Sequence, residues 1–253
     1  KSDSAIHGGK EKDGSKNVNL NFNAEKWFDN INKFKFTAYG RNTLTEYDNT
    51  SSSENDYSSN NFFYVTQLGL DRYNGNILDS LIFHYHKYDR ENDEQGTIDE
   101  FISNSSTVKG ERKIKFTDQF SYGLGFDHKY NWAEFENRGS YSASTKGHIY
   151  NTGIFTNIGY NFLNDTTLSF YARSDEHKLT GLNNSYKINL NKIFDKLKLS
   201  ATHSTGLRNP SLYELYGTDN FGYSGNLNLN PEKSETNELN AELALYKNFL
   251  LSI

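Results

Sequence analysis

The sequence contains no cysteine, no methionine and only two prolines among its 253 residues. Without cysteine there is no disulfide framework and no thiolate-ligated metal. Because proline cannot donate to a sheet ladder, so few prolines leave long extended segments free to pair. No run approaches the ~20 apolar residues that a membrane-spanning helix needs, and the mean hydropathy is −0.83. A formal charge of −5 argues against nucleic acid as a partner, since such proteins usually carry a basic face.

The sequence also lacks the motifs of common catalytic chemistry. It has no P-loop, no dinucleotide fingerprint and no G-x-S-x-G turn. His84 and His86 share one strand face, but neither a cysteine nor a further nearby histidine completes a transition-metal site. We therefore expect a protein that is not an enzyme and that carries no redox cofactor. An outer-membrane hydrolase with an exterior Ser–His pair is the enzymatic alternative.

Aromatic residues are abundant, with 18 Tyr and 18 Phe, and they recur at alternate positions. About twelve segments of this kind follow one another along the chain, and 168–175 is a typical example. The clearest segment would place Phe120, Tyr122, Leu124 and Phe126 on one face and Ser121, Gly123, Gly125 and Asp127 on the other. This alternation in a hydrophilic chain predicts strands that show one face to lipid and the other to a polar lumen.

The connections between these segments alternate in length. Short connections, such as 74–76, alternate with predicted long loops over 42–60, 89–106, 132–147 and 206–231. A transmembrane barrel gives this pattern because tight turns face the periplasm and long loops face outside. The pattern predicts an all-β, antiparallel transmembrane β-barrel in the bacterial outer membrane. A soluble β-sandwich binding module and a passive porin are the alternatives.

We expect residues 1–253 to be a single, partial barrel domain without an internal boundary. The chain begins at Lys1 without a signal peptide, and the free edges of a twelve-stranded sheet are not tolerated in lipid. Arg112 alone fits its strand poorly, because it shares the apolar face of Val108, Ile114 and Phe116. A cation at the bilayer midplane costs ~2–4 kcal/mol, so we expect Arg112 near the outer interface or above the membrane.

Acidic residues cluster in the first two predicted outer segments. Calcium takes six to eight oxygen ligands, often from carboxylates and carbonyls of adjoining loops. The cluster is therefore a candidate calcium site, and solvated loop charge is the alternative. Its members are Asp13, Tyr47, Asp48, Glu54 and Asp56.

A long ordered stretch resembles the TonB-dependent outer-membrane receptors. Residues 201–217 read ATHSTGLRNPSLYELYG, and 225–234 read GNLNLNPEKS, followed by Glu238. In that family a strand ends in an R-x-P-x-L-x-E-L loop, and the chain returns through G-N-x-x-L-x-P-E-x-S to a strand with an inward Glu. The resemblance implies structural roles for Arg208, Pro210, Glu214, Gly217, Pro231, Glu232 and Glu238.

Two features of this stretch follow from elementary chemistry. Pro210 disfavours helix at Asn209 and so ends the strand. Leu212, Leu215 and Tyr216, at i, i+3 and i+4, favour one helical turn packed over the barrel mouth. Arg208 and Glu238 are candidate lumen charges that pair with each other or with a plug.

Within the family the chain is most similar to the vitamin B12 (cobalamin) receptors. The stretches that carry this similarity are 12–17, 38–42, 46–48 and 71–75. The similarity implies a barrel of about 22 strands, of which this chain supplies about twelve. It also implies calcium held by two neighbouring outer loops, with Asp13, Tyr47 and Asp48 at matching positions and Asp56 close to another. The loop at 51–53 diverges from that pattern.

The resemblance implies energy-coupled import of a large scarce nutrient, cobalamin or another corrinoid, by a monomer embedded in outer-membrane lipid. TonB would act through a plug that fills the lumen. Siderophore receptors share the 201–238 pattern, so a siderophore or other TonB-dependent substrate is the alternative, and a passive porin is a weaker one. Aromatic side chains of the longest loop would contact a flat macrocycle or pack the loop against itself. The candidate substrate-binding residues are Asn49, Tyr213, Tyr216, Phe221 and Tyr223.

Overall fold

The computed structural model describes residues 2–3, 12–47, 57–139, 142–162, 165–246 and 249–252. They form a twelve-stranded antiparallel sheet in which every strand pairs with its neighbours in sequence. The strands of this sheet are β3 (Ser15–Trp27), β4 (Asn32–Tyr47), β5 (Tyr57–Asn74), β6 (Ile77–Glu94), β7 (Thr97–Lys115), β8 (Phe120–Arg138), β9 (Ala143–Phe162), β10 (Thr166–His177), β11 (Gly181–Phe194), β12 (Leu197–Arg208), β13 (Glu232–Tyr246) and β14 (Phe249–Ser252). A separate pair joins β1 (Ser2–Asp3) to β2 (Lys12–Asp13), and one helical turn, α1, spans Leu212–Tyr216. No helix among the described residues is long and apolar enough to cross a membrane.

The sheet has one face of apolar side chains that are open to the surroundings. Leu70, Leu81 and Phe126 are 50%, 47% and 48% exposed. Leu70 lies opposite Leu81, and Leu81 lies opposite Gly110 on the next strand. Gly110 lies opposite Phe126, which lies opposite Ile154. The predicted alternation is thus confirmed, and no second layer of the described chain covers this face. We call it the apolar face and its opposite the polar face.

The strands differ in height. Those from β5 to β9 are 18–20 residues long, whereas β10 to β12 have 12–14. A tilted strand needs only about 9–11 residues to cross a bilayer. The taller strands therefore rise well beyond one end of the sheet. We call this end the loop end, because residues 209–231 lie there, and the other the turn end.

Two of the predicted long loops are wrong. Residues 89–106 are strand except for a tight turn at Gln95–Gly96, whose φ angles are +55° and +87°, and β8 and β9 likewise fill most of 132–147. Above the membrane the outer face of a strand meets water instead of lipid. Hydrophobic alternation then disappears although the backbone pairing continues. Residues 209–231 are the longest connection between described strands, and we call them the long segment.

Arg112 lies near the turn end, three residues before β7 ends at Lys115, and not near the outer interface as predicted. Its guanidinium donates to both carboxylate oxygens of Asp79, with Nε–Oδ1 2.6 Å and Nη2–Oδ2 2.9 Å. Asp79 lies directly opposite on β6. A bidentate pair at the strand end neutralises the cation, which explains its tolerance on the apolar face.

A small hydrophobic core lies on the polar face at the loop end, beneath α1. Among the described residues, the buried apolar side chains are Ala133, Phe135, Ile149 and Leu215. Three of them belong to β8 and β9, and Leu215 belongs to α1. The long segment is therefore packed against the inner wall of the tall strands rather than extended into solvent.

Candidate functional site

Arg208 lies directly before the long segment and binds two carboxylates, one within the segment and one directly after it. Its Nη1 donates to Glu232 Oε1 and its Nη2 donates to Glu214 Oε1, both at 2.8 Å. Arg208 and Glu232 are also the last register pair of the β12–β13 ladder. Arg208 therefore pairs with these two carboxylates and not with Glu238, which lies opposite Thr202 on the polar face.

The predicted helical turn at 212–216 is confirmed, and a capping box starts it. The Ser211 hydroxyl accepts from the Glu214 N–H at 3.2 Å, and Glu214 Oε2 accepts from the Ser211 N–H at 2.7 Å. The Ser211 N–H and the Arg208 guanidinium lower the pKa of Glu214 to about 2. The S-x-x-E spacing of residues 211–214 is a sequence signature of this cap.

The stretch that resembles the TonB-dependent receptors has two parts, 201–217 and 225–234, and backbone hydrogen bonds join them. Gly225 N–H donates to the Gly217 carbonyl, and Asn226 N–H donates to the Glu214 carbonyl, each at 2.8 Å. A side chain at Gly225 would overlap the backbone of Leu215. This contact explains why residue 225 is a glycine. It also explains why the two parts of the stretch, 201–217 and 225–234, occur together.

The helical turn packs on β9 at Gly147. The ring of Tyr216 covers Gly147, where an added Cβ would overlap it. The Thr145 hydroxyl donates to the Tyr216 carbonyl. Tyr216 is therefore turned toward the wall, and its contact with a substrate stays a prediction.

Aromatic rings form a continuous row from the wall to the long segment. The centroid distances are 5.8 Å for Tyr88–Phe101, 5.0 Å for Phe101–Phe135, 5.6 Å for Phe135–Tyr213 and 4.8 Å for Tyr213–Tyr223. The last pair is stacked, with 7° between the ring planes. We call these five residues the aromatic row.

The aromatic row includes two of the predicted substrate-binding residues. Tyr213 and Tyr223 are 41% and 37% exposed, so their stacked rings are accessible. Burial, together with the nearby Asp219 carboxylate, raises the pKa of Tyr213. Phe221 lies outside the row and is 83% exposed. Tyr88, Phe101 and Phe135 were not among the predicted site residues, because they lie in or beside segments that were predicted to be loops.

Charges line the polar face below the aromatic row. Arg173 donates to both oxygens of Asp127, at 2.6 and 2.9 Å, and to Asp175 at 2.6 and 2.7 Å. The ring of Phe155 lies under two cations, with Lys109 Nζ at 5.0 Å and Arg173 Cζ at 5.7 Å from its centroid. The predicted position of Asp127, on the face opposite Phe126, is confirmed.

His84 and His86 are neighbours on the polar face, with ring centroids 5.6 Å apart. The described residues contain no group of three or more His, Cys, Asp or Glu side chains arranged to hold a metal. The prediction that the two histidines share one strand face is confirmed.

Of the predicted calcium ligands, Asp13 and Tyr47 are described. Asp13 ends β2, and Tyr47 ends β4, where its hydroxyl donates to Glu94 Oε1 at 3.3 Å. Burial and the Glu94 carboxylate raise the pKa of Tyr47. Asp48 and Asp56 lie outside the described residues, as do Glu54 and the candidate substrate residue Asn49. The calcium site and the role of Asn49 stay predictions.

Comparison with known proteins gives a family and a fold. A family model described as TonB dependent receptor-like β-barrel matches residues 2–253. The vitamin B12 transporter BtuB of Photobacterium profundum is 25% identical over 237 residues, which are 90% of this chain and 36% of the transporter. The siderophore receptor PirA of Pseudomonas aeruginosa superposes with a TM-score of 0.74 at 15% identity, over 94% of this chain and 45% of the receptor.

A second solved structure, a mutant of the ferric enterobactin receptor PfeA of Pseudomonas aeruginosa, gives a TM-score of 0.77 at 14% identity, over 94% of this chain and 42% of the receptor. At these identities the superpositions establish the fold alone. The chain thus spans less than half the length of these relatives.

Proposed function

Because the chain belongs to the TonB dependent receptor-like β-barrel family, whose members are bacterial outer-membrane proteins, we propose that it forms part of the wall of a receptor that imports a large nutrient. Import would draw its energy from TonB and would involve no chemical catalysis. The single observation that carries this proposal is the long segment, which is packed on the inside of the loop end. Short turns in such barrels face the periplasm, so the loop end faces outward.

We propose that the nutrient is cobalamin or a related corrinoid, with a ferric siderophore as the second candidate. The 25% identity to a vitamin B12 transporter supports the first, and the superposition on siderophore receptors supports only the fold. The stacked pair Tyr213–Tyr223 offers a rigid, partly exposed aromatic surface. Such a surface suits a flat conjugated macrocycle, because aromatic side chains bury a large area at a low entropic cost.

The two faces of the sheet suggest the remaining partners. Leu239 and Leu20, at 85% and 72% exposed, would contact outer-membrane lipid, and we propose a monomer. The charged cluster around Arg173 faces the lumen, where a plug that contacts TonB would lie. Calcium at Asp13, Tyr47, Asp48 and Asp56 is proposed as a structural ion of the outer loops, since carboxylate oxygens are its preferred ligands.

A binding measurement on the complete receptor tests the substrate. Purified receptor in detergent is titrated with cyanocobalamin and, separately, with a ferric catecholate siderophore, both with and without calcium. We expect saturable cyanocobalamin binding that removal of calcium weakens. Binding of the siderophore alone would replace the first candidate by the second. Absence of binding to either ligand would contradict both.

A further inference from the structure

Within the long segment, residues 218–224 form a small hairpin of their own, which we call the tip hairpin. An isolated antiparallel bridge between its first and last residues closes it. Inside the bridge, Asp219 Oδ1 accepts from the N–H groups of Phe221 and Tyr223, each at 2.9 Å. Aspartate side chains stabilise turns in this way. The tip hairpin therefore has a defined backbone conformation.

The tip hairpin carries two of the candidate ligand-binding rings. Tyr223 stacks on Tyr213 at 4.8 Å, and Phe221 is 83% exposed. Tyr213 belongs to the helical turn, which packs on β9, whereas Tyr223 belongs to the tip hairpin. The stacked pair thus joins two parts of the long segment, and its geometry depends on where the tip hairpin is held.

Asn220 holds the tip hairpin to the wall. Its Nδ2 donates to Oδ1 of Asp99 on β7, and the same nitrogen lies 3.3 Å from the Ile98 carbonyl oxygen. Asn220 immediately precedes the exposed ring of Phe221, so this contact fixes the residue between the two ends of the turn. The partners are 121 residues apart in sequence.

Asp99 is itself fixed on the wall. It lies opposite Asn137 on β8, and Nδ2 of Asn137 donates to the same Asp99 Oδ1. Asn137 is 4% exposed, so its amide is held by packing. Hydrogen bonds to an ionised acceptor are stronger than those between neutral groups. Asp99 therefore offers the tip hairpin a strong acceptor at a defined position.

The wall has a slot that fits the amide of Asn220. An added Cβ at Gly139 would lie 2.7 Å from Asn220 Oδ1 and 2.8 Å from Thr97 Cγ2. A side chain at residue 139 would therefore displace the amide. The slot also requires a donor at residue 220, because an aspartate there would bring a second carboxylate against Asp99.

We propose that Asn220 and Asp99 are positioning residues for ligand binding. They do not touch the ligand. They hold the tip hairpin so that Tyr223 stays stacked on Tyr213 and Phe221 stays exposed toward the barrel mouth. This inference rests on the proposed function, because it takes these aromatic rings as the ligand surface.

Hydrogen exchange on the ligand-free receptor tests the contact itself. A short hairpin is not stable alone, so detaching it from the wall should speed exchange at 218–224. We expect faster exchange in Asn220→Asp, where two carboxylates face each other, and in Asn220→Ala, where the donor is lost. Asn228→Asp places the same charge at an exposed position of the long segment and should leave exchange unchanged.

An exchange of the two side chains separates positioning from general damage. In the double variant Asp99→Asn with Asn220→Asp, the amide on the wall donates to the carboxylate on the tip hairpin, so the hydrogen bond is restored with its direction reversed. Affinity for cyanocobalamin, or for the ferric catecholate siderophore if only that binds, should fall by roughly tenfold in Asn220→Asp. The double variant should return to within about threefold of the wild type.

The role of the stacked pair is tested in a Tyr213→Ala background. Because Asn220 is proposed to act through the stack, Asn220→Asp should cost less affinity there than in the wild type. If Asp99→Asn prevents folding of the double variant, this comparison decides, since Asn220 and Tyr213 lie outside the strands.

Two results would overturn the proposal. Unchanged exchange at 218–224 in both Asn220 variants would refute the contact with the wall. Faster exchange with wild-type affinity in Asn220→Asp would refute positioning. A wild-type receptor that binds neither ligand would instead contradict the proposed function, and the exchange measurement would still decide whether Asn220 holds the tip hairpin.

Discussion

Arg208 and Glu214 form an ion pair at 2.8 Å, and the same guanidinium reaches Glu232 at 2.8 Å on the other side of the long segment. The Arg208 side chain thus joins the end of β12 to the helical turn of the long segment and to the start of β13. Pro210 ends β12, and Pro231 immediately precedes β13. These two ion pairs and the two prolines explain the spacing of the residues in the stretch that resembles the TonB-dependent receptors.

Arg208→Ala should loosen the long segment without unfolding the barrel wall. Arg208 has a side chain that is 54% exposed, and exposed ion pairs add little to the stability of the folded protein. We expect faster hydrogen exchange at 212–226 and an unchanged thermal midpoint of the complete receptor. Arg208→Lys should restore only part of the protection, because lysine cannot reach two carboxylates with a planar fork. Unchanged exchange in Arg208→Ala would refute the role of this ion pair.

The long segment should loosen only in acid. A carboxyl group whose pKa is depressed on folding contributes stability above its unfolded pKa, which is about 4.3 for glutamate. That contribution is lost as the pH falls toward the folded pKa of Glu214, about 2. Tyrosine fluorescence of the receptor should therefore be constant from neutral pH to about 5 and change between about 4 and 2. Glu214→Gln should remove that transition, and a transition of equal size in the variant would assign it to another group.

Gly147→Ala should displace the helical turn, because the new methyl group would overlap the ring of Tyr216. Gly40→Ala is the matched control, since a Cβ at that strand position meets nothing within 4 Å. We expect weaker cyanocobalamin binding and faster exchange at 212–216 in Gly147→Ala alone. If cyanocobalamin binding and exchange at 212–216 are the same in the two variants, the contact between Tyr216 and Gly147 does not position the helical turn.

Tyr213→Ala and Tyr223→Ala should each weaken ligand binding. A stacked aromatic contact contributes about 0.5–1.5 kcal/mol beyond burial, so the dissociation constant should rise by roughly threefold to tenfold or more. Tyr223→Phe keeps the ring and should bind nearly as well as the wild type. Phe194→Ala, exposed at the turn end, is the control for lost aromatic area. Wild-type affinity in both alanine variants would exclude the stacked pair as the ligand surface.

The sequence predicted the faces of the strands because contact with lipid is a local property that repeats every second residue. Phe126 was assigned to the apolar face without knowledge of its register, and it lies directly opposite Ile154. The tall hairpins were missed because polar residues such as Asn, Ser and Glu occur on both faces of 89–106, so no hydrophobic alternation marks the segment as strand.

The candidate site was predicted only in part. Tyr213 and Tyr223 lie in one loop and could be grouped from sequence. Phe101 and Phe135 join them through the register of β7 and β8, which composition does not fix. Ser211 was recognisable from its capping spacing, and Asn220 was not, because its partner Asp99 is 121 residues away.

Uptake of labelled cyanocobalamin by cells that carry the complete receptor, with and without TonB, distinguishes energy-coupled import from passive diffusion. Accumulation that requires both the receptor and TonB is the predicted result. Equal accumulation in cells lacking TonB would show a passive pore and would contradict the account.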